Sequence, residues 1–153
     1  FGDQGGHYQY YETVCGGSGA GPGFDGTDAV HTHMTNSRLT DPEVLEFRYP
    51  VQVDSCKIRT GSGGEGEFRG GAGIERRLRF KDEMVVNLLS NRRRVPPYGM
   101  AGGGPGKPGC AFVERAGEMQ AEELGSCDQV EVAPGDVFVL KTPGGGGYGR
   151  KAT

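Results

Sequence analysis

The sequence predicts a mainly β domain of the α+β class, with short, mostly antiparallel strands, long glycine-rich loops and one or two short helices. Several short apolar runs rich in Val, Leu and Phe are each closed by glycine or proline, which is typical of β structure. The 153 residues include 30 glycines and 9 prolines, which favour long loops. Only one segment carries a complete helix signal. The length is that of one domain, which we assign to residues 1–153.

The first third of the chain carries one strand signal and the helix signal. The run His7–Val14 is aromatic and β-branched, and it predicts a strand in which Glu12 shares a face with two tyrosines. A helix is predicted over residues 40–48, because Thr40 and Glu43 have capping-box spacing and the proline between them suits a first turn. The next proline in the sequence ends this helix.

Further strands are predicted in the rest of the chain. Residues 51–59 alternate between apolar and polar and then shift phase, which indicates a strand with a bulge near residues 54–56. The other predicted strands are Ile74–Phe80, Glu83–Ser90, Cys110–Arg115, Gln129–Val132 and Val137–Leu140. Glu83–Ser90 is mainly apolar, so we expect it to contribute to the core.

Two of the three histidines stand close together in a stretch, residues 27–34, that the pattern predicts to be extended. Alternate side chains of an extended backbone share a face, so we expect His31, His33 and Thr35 to point the same way. Two imidazoles so placed are able to bind one metal ion, one phosphate or one carbonyl oxygen. The alternative is a strand that carries two histidines into a polar cleft or onto the surface without a chemical role.

A glycine-rich loop, Gly16–Gly26, precedes the histidines. Missing side chains let backbone N–H groups approach a ligand closely. Gly21, Gly23 and Gly26 match the dinucleotide fingerprint formally, but the chain continues into an extended stretch and not into a helix. The loop 102–109 departs from the Walker pattern, with Ala101 in place of its first glycine.

Charge and composition exclude several functional classes. The formal net charge of −3, with both signs mixed throughout, gives no basic field for nucleic acid. No apolar run has membrane-spanning length, so we expect no membrane partner. The 4 cysteines include no C-x-x-C pair, and we expect a cytoplasmic protein. The first residues lack a signal-peptide pattern and an initiator Met, so we expect a piece of a longer chain.

Taken together, several motifs resemble the C-terminal part of the hydantoinase B/5-oxoprolinase family, in the family's order and over nearly the whole chain. They are Tyr10-Tyr11-Glu12-Thr13, Val30 to Ser37 with both histidines, Thr40 to Glu46 with Arg48-Tyr49-Pro50, Gly61-Ser62-Gly63-Gly64, Phe68-Arg69-Gly70-Gly71, Pro134-Gly135-Asp136 and Thr142-Pro143 with the glycines up to Gly149. The resemblance identifies the chain as a fragment of a larger enzyme.

The resemblance implies ATP-dependent hydrolysis of a cyclic amide such as 5-oxoproline or a hydantoin. It implies a separate hydantoinase A-type ATPase half that uses ATP and Mg²⁺, the remainder of the B half and a small-molecule lactam or hydantoin, and it leaves a divalent metal open. Catalytic residues carried over by the resemblance are Glu12, His31, His33 and Asn36, and residues that would bind substrate or phosphate are Gly16, Gly17, Ser18, Gly19 and Arg69. The isolated fragment is expected to be inactive.

Two alternatives remain open from the sequence. The pair His31-x-His33 and the later Gly135–Asp136 turn are similar to the motifs of a metal-binding cupin barrel. That pattern lacks the glutamate after the first histidines and has Tyr148 where its last histidine belongs. The other alternative is a non-catalytic module that docks subunits, in which the glycine loops form an interface.

Overall fold

The computed structural model describes residues 1–32, 35 and 37–151. One helix and seven strands are found in this part of the chain: α1 (Pro42–Arg48), β1 (Val51–Ile58), β2 (Ile74–Phe80), β3 (Met84–Leu89), β4 (Cys110–Glu114), β5 (Ala121–Leu124), β6 (Cys127–Val132) and β7 (Val137–Lys141). The prediction of a mainly β fold with short strands is therefore confirmed.

The strands form two antiparallel sheets. The larger sheet has the order β1-β2-β7-β4-β5, and β3 pairs with β6 in a two-stranded sheet. The register of β1 against β2 shifts between Val53 and Ser55, which confirms the bulge expected from the change of phase. Strand β5 was not predicted, because its sequence Ala-Glu-Glu-Leu is short and charged. It forms by pairing along β4 at the edge of the sheet.

The core lies on one face of the larger sheet. Alternate residues of β2 are buried, from Ile74 to Phe80, and they pack with Leu45 of α1 and Val51 of β1, which are both fully buried. This alternation places one charged residue, Arg76, on the buried face, where it is only 5% exposed. A charge in that position requires a partner, because an unpaired buried ion is costly.

The residue that caps helix α1 is Asp41, one residue after the predicted cap, Thr40. The side chain of Asp41 accepts a hydrogen bond from the Glu43 N–H at 2.9 Å, and Pro42 occupies the first helical position. Thr40, the predicted cap, directs its hydroxyl to the phenol of Tyr10 instead. The helix ends at Arg48, as predicted from the following Pro50.

The predicted strand His7–Val14 is wrong. This segment makes only an isolated bridge, between Gln9 and Gly2, and Tyr8 and Tyr10 pack with neighbouring aromatic rings against the hydrophobic core. The ring of Tyr10 lies 5.0 Å from that of Phe1 and 5.2 Å from that of Tyr49. The aromatic content that indicated a strand is therefore used for an aromatic cluster beside α1.

Glycine-rich segments pack side by side in a compact unit, which we call the glycine bundle. Its members are residues 16–20, 62–73, 97–109 and 142–149. Gly145 lies at its centre, where it donates to the Gly71 carbonyl at 2.8 Å and accepts from the Gly64 N–H at 2.8 Å. Gly147 donates to the Gly104 carbonyl at 2.9 Å. These hydrogen bonds join the segments without a regular ladder.

Glycine is required in the bundle because the backbones approach too closely for side chains. A Cβ on Gly64 would lie 2.6 Å from the Gly147 nitrogen and 2.9 Å from the Pro105 carbonyl carbon. A Cβ on Gly145 would overlap the carbonyl of Ser18. Many glycines that suggested ligand-binding loops therefore serve the approach of one backbone to another.

Candidate functional site

The carboxylate of Glu12 is nearly buried and has several donors around it. Its Oε1 accepts a hydrogen bond from the Tyr10 hydroxyl at 2.9 Å and one from the Thr40 N–H at 3.4 Å. It also forms an ion pair with Nη2 of Arg76 at 3.2 Å. The Glu12 and Arg76 side chains are 12% and 6% exposed, so little solvent screens this pair.

Arg76 reaches Glu12 from the buried face of β2. Its guanidinium is always protonated, and Glu12 supplies the counter-charge that such a buried cation requires. Nη2 of Arg76 is buried and makes no hydrogen bond within the part of the chain that the structure describes. The pair is therefore held by charge and proximity, and not by an aligned hydrogen bond.

The phenol of Tyr10 stays protonated in this environment. Burial raises the pKa of Tyr10 to about 12, and the neighbouring Glu12 carboxylate adds to that effect, while the hydrogen bond with Thr40 opposes it. The Thr40 hydroxyl lies 2.8 Å from the phenol oxygen. A protonated phenol is able to donate to Glu12 and to accept from Thr40 at once.

His31 contacts the residue that follows Glu12. Its Nε2 lies 2.8 Å from the carbonyl oxygen of Thr13, and the side chain is half-buried. Since a carbonyl only accepts, we infer that Nε2 carries the proton. In the neutral ring Nδ1 then has the free lone pair, which is the form able to accept a proton or bind a metal.

After His31, the Thr35 N–H donates to the Thr32 carbonyl at 3.2 Å. The predicted common face of the two histidines is not tested, because His33 lies outside the described residues. The same holds for Asn36, the other predicted site residue in this stretch.

The predicted phosphate-binding loop is part of the glycine bundle. The Gly17 N–H donates to the Pro143 carbonyl at 3.1 Å and the Ser18 N–H to the Thr27 carbonyl at 3.0 Å. Two of the four predicted donors are therefore already held by protein carbonyls. A Cβ on Gly19 would meet only the Gly146 carbonyl, at 3.8 Å, so this part of the loop is more open.

Arg69 belongs to a second group of residues near the glycine loop. Its Nη2 lies 3.2 Å from the Asp28 carboxylate, and its backbone N–H donates to Asp25 at 2.6 Å. The Arg69 carbonyl accepts from the Gly26 N–H at 2.7 Å. The predicted site residues thus fall into two groups. In one group, His31 contacts Thr13 next to Glu12. In the other, Arg69 contacts residues 25–28 at the end of the glycine loop.

Three residues hold Glu12 in place: Tyr10, Thr40 and Arg76. The sequence placed Tyr10 on the same face as Glu12, but Thr40 and Arg76 were not predicted as its partners. A signal for Arg76 is present in the sequence, because alternation through Ile74 and Leu78 puts it on the apolar face of its strand. Tyr10 and Thr40 come together only through the return of the chain, 30 residues later, and no local pattern predicts that contact.

Metal-ligand clusters and thiols are the remaining groups with a potential chemical role. Within residues 1–32, 35 and 37–151, no three His, Cys, Asp or Glu side chains come together as metal ligands. Cys15 is buried, and burial raises the pKa of its thiol. In the same ranges we find no helix with the length and apolar character needed to cross a membrane.

Comparison with known proteins agrees with this fold. The family model for hydantoinase B/oxoprolinase matches residues 1–151. The 5-oxoprolinase of Dictyostelium discoideum is 43% identical over 142 residues, which cover 93% of this chain and 11% of that protein. Caprolactamase subunit beta of Pseudomonas jessenii is 33% identical over 144 residues, which cover 90% of this chain and 25% of that subunit.

A solved structure has the same fold. The crystal structure of the ATP-dependent caprolactamase from Pseudomonas jessenii superposes with a TM-score of 0.80 at 29% identity, over 90% of this chain and 24% of that chain. The chain thus corresponds to a quarter or less of the length of these relatives. The family resemblance predicted from the motifs is confirmed: the chain belongs to the hydantoinase B/oxoprolinase family.

Proposed function

We propose that this chain is part of an ATP-dependent cyclic amide hydrolase and contributes to the hydrolysis of an activated amide ring. The proposed substrate class is a lactam or hydantoin, with 5-oxoproline as one member. Relatives named 5-oxoprolinase and caprolactamase support the reaction class. The observation that carries the proposal is the half-buried His31, whose Nε2 is fixed on Thr13 and whose Nδ1 is left with the lone pair.

His31 is the proposed general base. Its hydrogen bond to Thr13 fixes the ring and the tautomer, and an imidazole is the side chain that most often serves as a general base. Glu12 is less suited to this role, because its Oε1 already faces a hydroxyl, an amide and a guanidinium. These contacts occupy the oxygen that would otherwise approach the water. We therefore assign Glu12 to positioning.

The chemistry explains why an ATPase partner is needed. An amide is a poor electrophile, and phosphorylation of its oxygen by the A-type half, with ATP and Mg²⁺, would activate the ring carbon. Water adds to that carbon and gives its proton to Nδ1 of His31. The ring C–N bond then breaks, the proton passes to the ring nitrogen, and the acyl phosphate is hydrolysed to carboxylate and phosphate.

Binding of the phosphate is proposed for the open part of the glycine loop. Protein carbonyls hold the Gly17 and Ser18 amides, so we assign the anion contacts in this open part to Gly19 and to the half-exposed Arg69 guanidinium. Gly16, where a Cβ would lie 2.9 Å from the Pro143 carbonyl oxygen, remains a predicted contact. His33 and Asn36 remain predicted site residues. The 4 cysteines are free thiols, as is usual in a reducing compartment, and we propose a cytoplasmic enzyme.

The proposed function is tested by removing His31 in the full-length protein with its ATPase half. We expect His31→Ala to lower ring opening by about 100-fold or more, since general base catalysis contributes at least that factor. His7→Ala is the matched control, because His7 is exposed and bonded only to Asp3 in the described structure. Coupled turnover is measured with 5-oxoproline, a hydantoin and caprolactam.

Wild-type turnover in a folded His31→Ala variant would refute the proposal. If subunit assembly changed in that variant while turnover did not, the docking-module alternative would be favoured.

A further inference from the structure

We propose that Arg76 is a positioning residue whose ion pair with Glu12 anchors the histidine-bearing segment, residues 31–40, to the central sheet. The consequence for the reaction rate rests on the proposed function. The consequence for the segment itself does not, and it is measured separately below.

The two ends of this segment are attached to Thr13 and Glu12, which are neighbours in the chain. At its beginning, Nε2 of His31 bonds to the carbonyl of Thr13 at 2.8 Å. At its end, the Thr40 N–H points to Oε1 of Glu12 at 3.4 Å, and the Thr40 hydroxyl meets Tyr10 at 2.8 Å. Residues 12 and 13 therefore hold the segment at its two ends.

Residues 12 and 13 need an attachment of their own, because they belong to no regular strand. The larger sheet supplies it through Arg76, whose Nη2 lies 3.2 Å from the same Oε1 that faces Thr40. Arg76 lies on β2, which pairs with β1 on one side and β7 on the other. A central strand gives the anchor a rigid base.

The burial of the pair makes it a strong link. Arg76 is 5% exposed, and its counter-charge cannot be replaced by water without reopening the core. Removal of the guanidinium leaves the Glu12 carboxylate buried without its cation. Because an unpaired buried charge is unfavourable, we expect the carboxylate to move toward solvent and Thr40 and Thr13 to move with it.

The test uses the full-length protein with its ATPase half and three substitutions at one position. Arg76→Met and Arg76→Gln remove the charge, and Arg76→Lys restores a cation without the planar fork. The matched control is Arg77→Met, because Arg77 is the next residue of β2, faces the other way and pairs with Glu114. The melting temperature of each variant reports whether the protein as a whole is folded.

The first measurement is the rate of tryptic cleavage after Arg38, which is an exposed residue inside the segment. We expect the neutral variants to be cut about tenfold faster, because loss of the anchor makes local opening easier. Arg76→Lys should be intermediate and Arg77→Met unchanged. Wild-type cleavage in a folded neutral variant, or equal acceleration in the control, overturns the proposal.

The second measurement is the kinetics of coupled ring opening. We expect kcat to fall about 100-fold in the neutral variants with KM nearly unchanged, since a base displaced by about 1 Å acts poorly on bound substrate. Arg76→Lys should recover part of kcat, which a general loss of packing would not allow. If His31→Ala turned over normally, the proposed function would fail, while faster cleavage after Arg38 would still support the anchor.

Discussion

Replacement of Gly64 by alanine tests whether the glycine bundle is held by close backbone contact. The added Cβ would overlap the Gly104 carbonyl oxygen and would lie 2.6 Å from the Gly147 nitrogen, whereas ordinary contact begins near 3.4 Å, so the neighbouring backbone must move by at least about 0.8 Å. Gly64 also donates to Gly145 at 2.8 Å and accepts from Gly70 at 2.9 Å, and both bonds would be distorted.

The expected cost follows from these two effects. Overpacking of a dense interior costs about 1–3 kcal/mol, and each weakened buried hydrogen bond adds about 1 kcal/mol. We therefore expect Gly64→Ala to destabilise the domain by about 3–5 kcal/mol. The measurement is thermal unfolding of the full-length protein, together with its soluble yield at several growth temperatures.

Gly19→Ala is the matched control for this experiment. Its Cβ would meet a single atom, the Gly146 carbonyl oxygen, at 3.8 Å, which is ordinary contact. We expect a change within about 0.5 kcal/mol. Equal stability of the Gly64 and Gly19 variants would show that the bundle is loose, and it would refute the role of close packing.

Three further predictions concern charged groups and thiols. Glu12→Gln leaves Arg76 as an unpaired buried cation and should cost about 3–5 kcal/mol, which the added change Arg76→Met should partly recover in thermal unfolding. Burial raises the pKa of Asp136, but hydrogen bonds from two backbone amides and from Arg115 outweigh it and lower the pKa. The contribution of Asp136 to stability is therefore present above the unfolded pKa of about 3.9 and is lost as the pH falls through the folded pKa. The free energy of unfolding of Asp136→Asn should therefore depend less on pH in that range than the free energy of unfolding of the wild type. Alkylation with iodoacetamide, followed by mass spectrometry, should label the exposed Cys56 rapidly and the buried Cys15 only after unfolding, and equal labelling in the native protein would contradict the burial.

Several elements of the fold follow from local sequence. The alternation in Ile74–Phe80 predicts β2, and the change of phase after Val53 predicts the bulge in β1. The prolines at each end bound α1, since one suits the first turn and the other cannot continue a helix. The run from His7 to Val14 misled the prediction, because aromatic residues suit a side-chain cluster as well as a strand.

The candidate site was predicted in part. The motifs predicted Glu12 and His31 as site residues. The structure brings them close together, because His31 contacts the carbonyl of Thr13, the residue after Glu12. The sequence could not predict the contact of Glu12 with Arg76, which joins positions far apart in the chain. It also could not distinguish glycines that face a ligand from glycines that face another backbone, because both lack a side chain for the same steric reason.

By itself, the sequence determined the β class, most strand positions and the family, because these depend on short-range periodicity and on ordered motifs. The tertiary structure alone decided which partners each polar group has. Glu12 has the same carboxyl group wherever it lies, but only the folded chain puts Arg76, Tyr10 and Thr40 around it. Hydrogen bonds and ion pairs act over a few ångströms, so they depend on the return path of the chain and not on its local pattern.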